Sequence, residues 1–74
     1  MAGHLENRVR AVRLSKGLSQ EEVARRAGVS RNTVVNVERE VTVPTILVAL
    51  AIAAALGVAV TALFKLGGKG GGTS

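Results

Sequence analysis

The residues from Ile46 to Phe64, ILVALAIAAALGVAVTALF, carry no charge. A bilayer-spanning helix needs roughly 20 mostly apolar residues, so this stretch must either cross a membrane or be buried inside a fold. Gly57 interrupts it, Pro44 stands just before it, and many of its residues are alanine. The whole chain has 74 residues, and a domain of that size buries only about 60% of the surface its unfolded chain exposes. Short helices upstream would have nothing else to pack on. The stretch is therefore expected to be two adjacent buried helices rather than a span. One runs from about Pro44, which suits the first turn of a helix, to Leu56. The second covers Val60 to Phe64, after a stop at Gly57.

Charge divides the chain. Ten Lys and Arg face five Asp and Glu, for a net charge of +5. Arg8, Arg10, Arg13, Lys16, Arg25, Arg26, Arg31 and Arg39 all lie in the first 39 residues, and the second half is almost uncharged. Such asymmetry points to a polyanionic partner, nucleic acid or a lipid surface. Cysteine is absent, which excludes disulfides and thiolate metal sites. His4 is the one histidine and sits in the N-terminal tail, so no ligand cluster is expected around it. Phe64 is the sole aromatic residue, which argues against a stacking platform for single strands. The start, MAGHLENRVR, has no apolar signal region. The end, GGKGGGTS at 67–74, is too rich in glycine to fold and reads as a flexible tail after a domain at 1–66.

The strong periodicities are helical. Leu5, Val9, Val12 and Leu14 are expected on one side of a basic first helix that stops at Gly17. Ser19-Gln20-Glu21-Glu22 has the S-x-x-E form of a capping box. The helix it starts carries Val23, Ala24 and Ala27 and ends at Gly28, a residue suited to the left-handed terminating conformation. Ser30 follows closely and can cap a third helix, with Val34 and Val37 on one side. Two short helices across a tight glycine turn make a helix-turn-helix.

At Gln20 to Arg39, QEEVARRAGVSRNTVVNVER, the chain resembles the helix-turn-helix of phage repressors and Cro, the XRE family. Val23, Ala27, Val29, Val34 and Val37 occupy its apolar positions, Ala24 the close helix crossing and Gly28 the turn. The flanking RVRAVRLSKGLSQ and VPTILVALAIAAALGVAVTALF agree, so the resemblance covers roughly residues 6 to 66. It implies an all-α, compact bundle of five helices of the lambda-repressor-like type. It further implies sequence-specific binding of double-stranded DNA as a transcriptional regulator, with a helix at about 30–39 in the major groove.

Site residues follow from the chemistry of DNA edges and from the resemblance together. Arg31 can donate two parallel hydrogen bonds to guanine O6 and N7, and Asn32 or Asn36 can pair bidentately with adenine. These three match the family's base-reading positions, and Val35 lies near enough for a thymine methyl. Thr33 suits a methyl or a phosphate oxygen. Gln20 opens the second helix, where unpaired backbone N–H groups favour phosphate; the family uses this glutamine as a backbone grip, with Ser19 assisting. The alternative is Ser19 as a plain cap beside an idle Gln20. Arg10 joins the phosphate set. The resemblance also implies a structural ion pair between Arg13 and Glu38. The family's glycine after the third helix is replaced here by Glu40, so the loop is expected to take another path. Glu40 repels phosphate, and Thr42 remains as one donor.

The apolar half departs from the family as well. Outer positions that are usually polar hold Leu47, Ala51, Ala54, Ala59 and Ala62, and Leu47, Ala51 and Ala54 recur at i, i+4, i+7 along one helical face. The self-association face is expected at Leu47, Ala51, Ala54 and Val58. A patch of this kind exceeds what monomers commonly expose and points to self-association, a homodimer on an inverted repeat. The competing function is a helical assembly module that uses this face with DNA binding weak or lost, since fold alone does not settle function. No catalytic constellation is visible, and no cofactor, metal, membrane or small-molecule ligand is expected. The location expected is cytoplasmic, on the nucleoid.

Overall fold

A computed structural model describes residues 5–67. His4 and the glycine-rich tail beyond 67 lie outside the described residues. The order is β1 (Leu5–Asn7), α1 (Val9–Ser15), α2 (Gln20–Ala27), α3 (Arg31–Glu38), α4 (Ile46–Leu56), α5 (Val60–Leu63) and β2 (Phe64–Leu66). Five helices in the expected order make an all-α domain of the lambda-repressor-like type, to which a small two-stranded sheet is added.

The capping chemistry reads directly from the residues. Ser19 Oγ accepts from the Glu22 backbone N–H and the Glu22 carboxylate accepts from the Ser19 N–H, each at 3.0 Å, so both halves of the capping box are present. Ser30 Oγ accepts from the Thr33 N–H to begin α3. Gly28 closes α2 at φ 73° and Gly57 closes α4 at φ 72°. A Cβ at either position would meet nothing within 4 Å; the left-handed backbone, not lack of space, calls for glycine.

The core is Val9, Val23, Ala24, Val34, Val37, Ile52, Ala53, Leu56 and Leu63. α2 packs against both α3 and α4, and α5 folds back onto α4. α4 buries one stripe only. Ile52 and Leu56 point inward, whereas Ile46 and Leu47 stay 80% and 77% exposed. Among the described residues no helix is long and apolar enough to cross a membrane.

Several expectations are corrected. The first helix begins at Val9, and Leu5 belongs instead to β1, which pairs antiparallel with β2 in the register Leu5↔Leu66, Glu6↔Lys65, Asn7↔Phe64. Leu14 is exposed, because at 100° per residue it falls away from the Val9 side; Arg13, four residues after Val9, takes the inward place. Pro44 precedes α4, and Thr45 caps it by accepting from the Val48 N–H at 3.1 Å. α5 stops at Leu63, since Phe64 has already turned into extended backbone. Val58 is half-buried against the core and so does not belong to the open apolar face. After α3 the chain keeps a left-handed residue, with Glu40 itself at φ 60°. The loop takes the path a glycine would take, at a cost of roughly 1 kcal/mol.

Candidate nucleic-acid interface

α3 presents two chemically different sides. Val34 and Val37 are buried, which fixes the rotation of the helix. The spacing of 3.6 residues per turn then puts Arg31, Asn32, Val35 and Asn36 together on the side away from the core. Arg31 and Asn32 are exposed, and Val35 and Asn36 are half-buried. One face therefore gathers a forked cation, two amides and a methyl-bearing side chain.

The N-terminal ends of α2 and α3 border an open cleft lined by Arg10, Arg13, Ser19, Gln20, Glu21, Arg31, Glu38 and Arg39. The cleft brings together Arg10, Ser19, Gln20 and Arg31 from the expected set. It also includes Glu21, an acid on its rim that the sequence pattern did not single out. Thr33 is tied into the cap of α3, its hydroxyl 2.8 Å from that of Ser30. Thr42 is not brought to this cleft. It lines a separate hollow with Leu5, Asn7, Glu40, Val43 and Pro44.

Beneath the cleft lies a charged pair. Arg13 Nε donates to Glu38 Oε2 at 2.6 Å, its Nη2 to Oε1 at 3.2 Å and its Nη1 to the Leu18 carbonyl at 2.9 Å. The two side chains are 9% and 3% exposed, so two charges sit inside a small domain, held to each other and to the Leu18 carbonyl. Among the described residues, no buried side-chain nitrogen or oxygen lacks a partner. Gln20 is not idle. Its Nε2 donates to Glu38 Oε1 at 3.1 Å, and its Oε1 accepts from Arg31 Nη2 at 3.5 Å. Sequence spacing alone offered no signal for these contacts, because they join residues of different helices.

Glu22 shows a shifted acidity. The hydrogen bond from the Ser19 backbone N–H holds its carboxyl below the ordinary glutamate range, with smaller help from the Ser19 side chain and from Arg26 and Arg25. At neutral pH the capping box is therefore made with an ionised carboxylate.

A buried-valine recognition-type helix, a glycine turn and a polar outer face together define a helix-turn-helix domain. Its family profile, described as helix-turn-helix, matches residues 9–63, and the chain belongs to that family, of the XRE type, whose members are DNA-binding transcriptional regulators. Solved structures similar to it include the restriction-modification controller protein C.AhdI from Aeromonas hydrophila. That pair is 36% identical over 74% of this chain and 83% of the other, with a TM-score of 0.72. A hypothetical transcription factor from Neisseria, NHTF, is 42% identical over 73% of this chain and 61% of its own, with a TM-score of 0.68. SinR, a master regulator for biofilm formation solved in complex with DNA, is 34% identical over 73% of this chain and 87% of its own, with a TM-score of 0.68. A search of curated proteins found no match.

Proposed function

We propose that the domain is a sequence-specific reader of double-stranded DNA that regulates transcription as a homodimer on an inverted repeat, with residues 30–39 in the major groove. The observation that carries this reading is the outer face of α3. Arg31, Asn32, Val35 and Asn36 converge there, beside a cleft that joins the N-terminal ends of α2 and α3 to Arg10 and Arg39. Arg31 reads guanine, Asn32 and Asn36 read adenine, and Val35 meets a thymine methyl. Ser19 Oγ accepts from Glu22 N–H, which leaves its hydroxyl hydrogen for a phosphate oxygen. Gln20 has a second amide hydrogen for the same purpose, and Arg10 and Thr33 extend the backbone set. SinR, solved with DNA, and C.AhdI, a controller protein, support this reading by similarity.

Dimerisation rests on a second surface. Val41, Val43, Ile46, Leu47 and Leu50 are each 50–80% exposed, with Ala54 exposed and Ala51 half-exposed beside them. No charged residue occurs from 41 to 64. Without cations the patch has nothing to draw it to anionic lipid. A surface without charge also meets its own copy without repulsion, as a two-fold interface requires. A standard interface buries about 800 Å² per partner. The same patch favours one rival reading, a module that assembles with a different protein.

Selection of binding sites from a random duplex pool, with wild type beside Arg31→Ala, tests the reading. An inverted repeat whose preference relaxes at one base pair per half-site in the variant is expected. Recovery of no motif from folded protein would leave the assembly module.

A further inference from the structure

The last turn of α3 is held by a side chain from the first strand. Asn7 stands in β1, where it pairs with Phe64 of β2, and the next residue, Arg8, donates its N–H to the Leu63 carbonyl at 2.7 Å. From that anchored place the Asn7 side chain works in two directions. Its Oδ1 accepts from the Val9 N–H at 3.3 Å, at the start of α1. Its Nδ2 donates to the Val37 carbonyl at 2.9 Å, near the end of α3. A backbone N–H only donates and a carbonyl only accepts. One orientation of the amide satisfies both, which removes the usual ambiguity between its oxygen and nitrogen.

The turn that receives this bond is strained. Val41 N–H donates to the Asn36 carbonyl and Glu40 N–H to the Val37 carbonyl, each at 3.0 Å, the paired closure of a Schellman motif. Such a closure needs a left-handed residue, and here it is Glu40 at φ 60° in place of a glycine. A residue with a Cβ keeps that conformation only where its surroundings hold it. The Val37 carbonyl is the shared acceptor, taking Glu40 from within the turn and Asn7 from outside it. Its neighbour in the closure is the carbonyl of Asn36, a half-buried residue of the outer face. Arg31, at the opposite end of α3, follows the Ser30 cap and has no part in this closure.

We propose that Asn7 holds the last turn of α3 against the strain at Glu40 and thereby positions Asn36 for base reading. Asn7 acts through the Val37 carbonyl and touches no base. The proposal rests on the DNA reading above. A reading side chain must be held within roughly 0.5 Å of its productive place, and a turn fixed before DNA arrives leaves less to order on binding. Side-chain chemistry thus fixes α3 at both ends, Ser30 beside Arg31 and Asn7 beside Asn36.

Discrimination between duplexes separates this role from a merely structural one. Lost stability lowers the folded fraction and weakens binding equally on every duplex, whereas a misplaced reader relaxes one position. Affinities of wild type, Asn7→Ser, Asn36→Ala and Asn7→Ser/Glu40→Gly are measured for the selected duplex and for that duplex with each base pair changed singly. A serine hydroxyl can accept from the Val9 N–H but lacks the amide that reaches Val37, so the start of α1 is kept while the bond to α3 is lost. Asn7→Ser should lose most of the discrimination at the pair that Asn36→Ala relaxes, on the order of ten- to a hundredfold for a bidentate contact. The pair that Arg31→Ala relaxes should keep its preference. Glu40→Gly in the Asn7→Ser background should restore the Asn36 pair, because a glycine holds the left-handed turn without help.

Uniform weakening by Asn7→Ser, no change, or no recovery with Glu40→Gly would each overturn the proposal and leave DNA reading intact. So would failure of Asn36→Ala to relax any pair. Where Asn7→Ser melts too low to assay, NMR on the wild type decides: a scalar coupling across the hydrogen bond from Asn7 Nδ2 to the Val37 carbonyl carbon is expected, and its absence would overturn the proposal. Failure of the wild type to select any motif would remove the DNA reading itself, and the role of Asn7 in it.

Discussion

The segment through α3 and the segment from the α3–α4 loop through α5 contribute to one core by different means. The first carries an ion pair, a capping box and a glutamine link. The second has no charge from 41 to 64 and relies on Ile52, Ala53, Leu56 and Leu63. The first has a polar outer face suited to DNA; the second has Ile46, Leu47 and Leu50 in the open. The contrast teaches that specificity of internal geometry and stickiness toward a partner are separable. A polar network fixes where side chains aim, whereas an aliphatic face supplies area without direction. Salt should separate them too, since phosphate contacts weaken steeply as salt rises and apolar burial does not.

The sharpest way to break the contrast is to remove one member of the network. Glu38→Ala strands the Arg13 guanidinium, and loss of one partner of a buried pair costs about 3–5 kcal/mol. Thermal melts by circular dichroism should show the domain largely unfolded at room temperature. An unchanged melt would mean that the polar half is held by its valines alone.

Leu50→Lys probes the other half. Leu50 is half exposed on the open side of α4, so the melt of the isolated chain should barely move. Sedimentation should show self-association weakened about tenfold or more, the equivalent of roughly 1.4 kcal/mol. A dimer indifferent to this charge would put the interface elsewhere.

Glu40 stands at the seam. Its φ of 60° is strained for a residue with a Cβ. Glu40→Gly relieves that strain, while the added freedom of the unfolded chain returns part of it. A net gain of roughly 0.5 kcal/mol in denaturant titrations is expected. A loss would show that the Glu40 side chain holds the loop.

The smallest effect concerns pH. Glu22 is held below its ordinary acidity range by the Ser19 N–H, so its folded pKa is lower than its unfolded one. Its contribution is fully present above the unfolded glutamate range and fades as pH falls through the folded value. Glu22→Gln, which mimics the protonated carboxyl, should flatten the acid side of the stability curve and lose at neutral pH the same small amount that wild type loses on acidification. An acid limb as steep as that of wild type would assign the slope to other carboxylates.

Legibility in the sequence differed between the halves for the same physical reasons. Ser19-x-x-Glu22 and Gly28 announced α2 because capping is local chemistry, and the buried valines of α3 follow from its period. α4 is apolar nearly all round, so periodicity could not say which stripe faces the core. Leu47, Ala51 and Ala54 were placed on the open side, but Ile46 and Leu50, which share it, were missed, and Val58 was misassigned. The sheet escaped because each strand has three residues and the two lie far apart in sequence. Glu40 in a glycine conformation runs against local preference and is imposed by the surrounding helices. The link from Glu38 through Gln20 to Arg31 is tertiary, and no spacing along the chain encodes it.

The central claim is that one half reads DNA and the other joins two readers. The direct measurement titrates wild type, Arg31→Ala and Leu50→Lys onto a half-site duplex and onto the full inverted repeat. Wild type should fill the repeat cooperatively with two chains. Leu50→Lys should keep half-site affinity and lose the cooperativity, and Arg31→Ala should lose sequence preference on both duplexes. Equal behaviour of wild type and Leu50→Lys on the repeat, or sequence preference surviving in Arg31→Ala, would contradict the account.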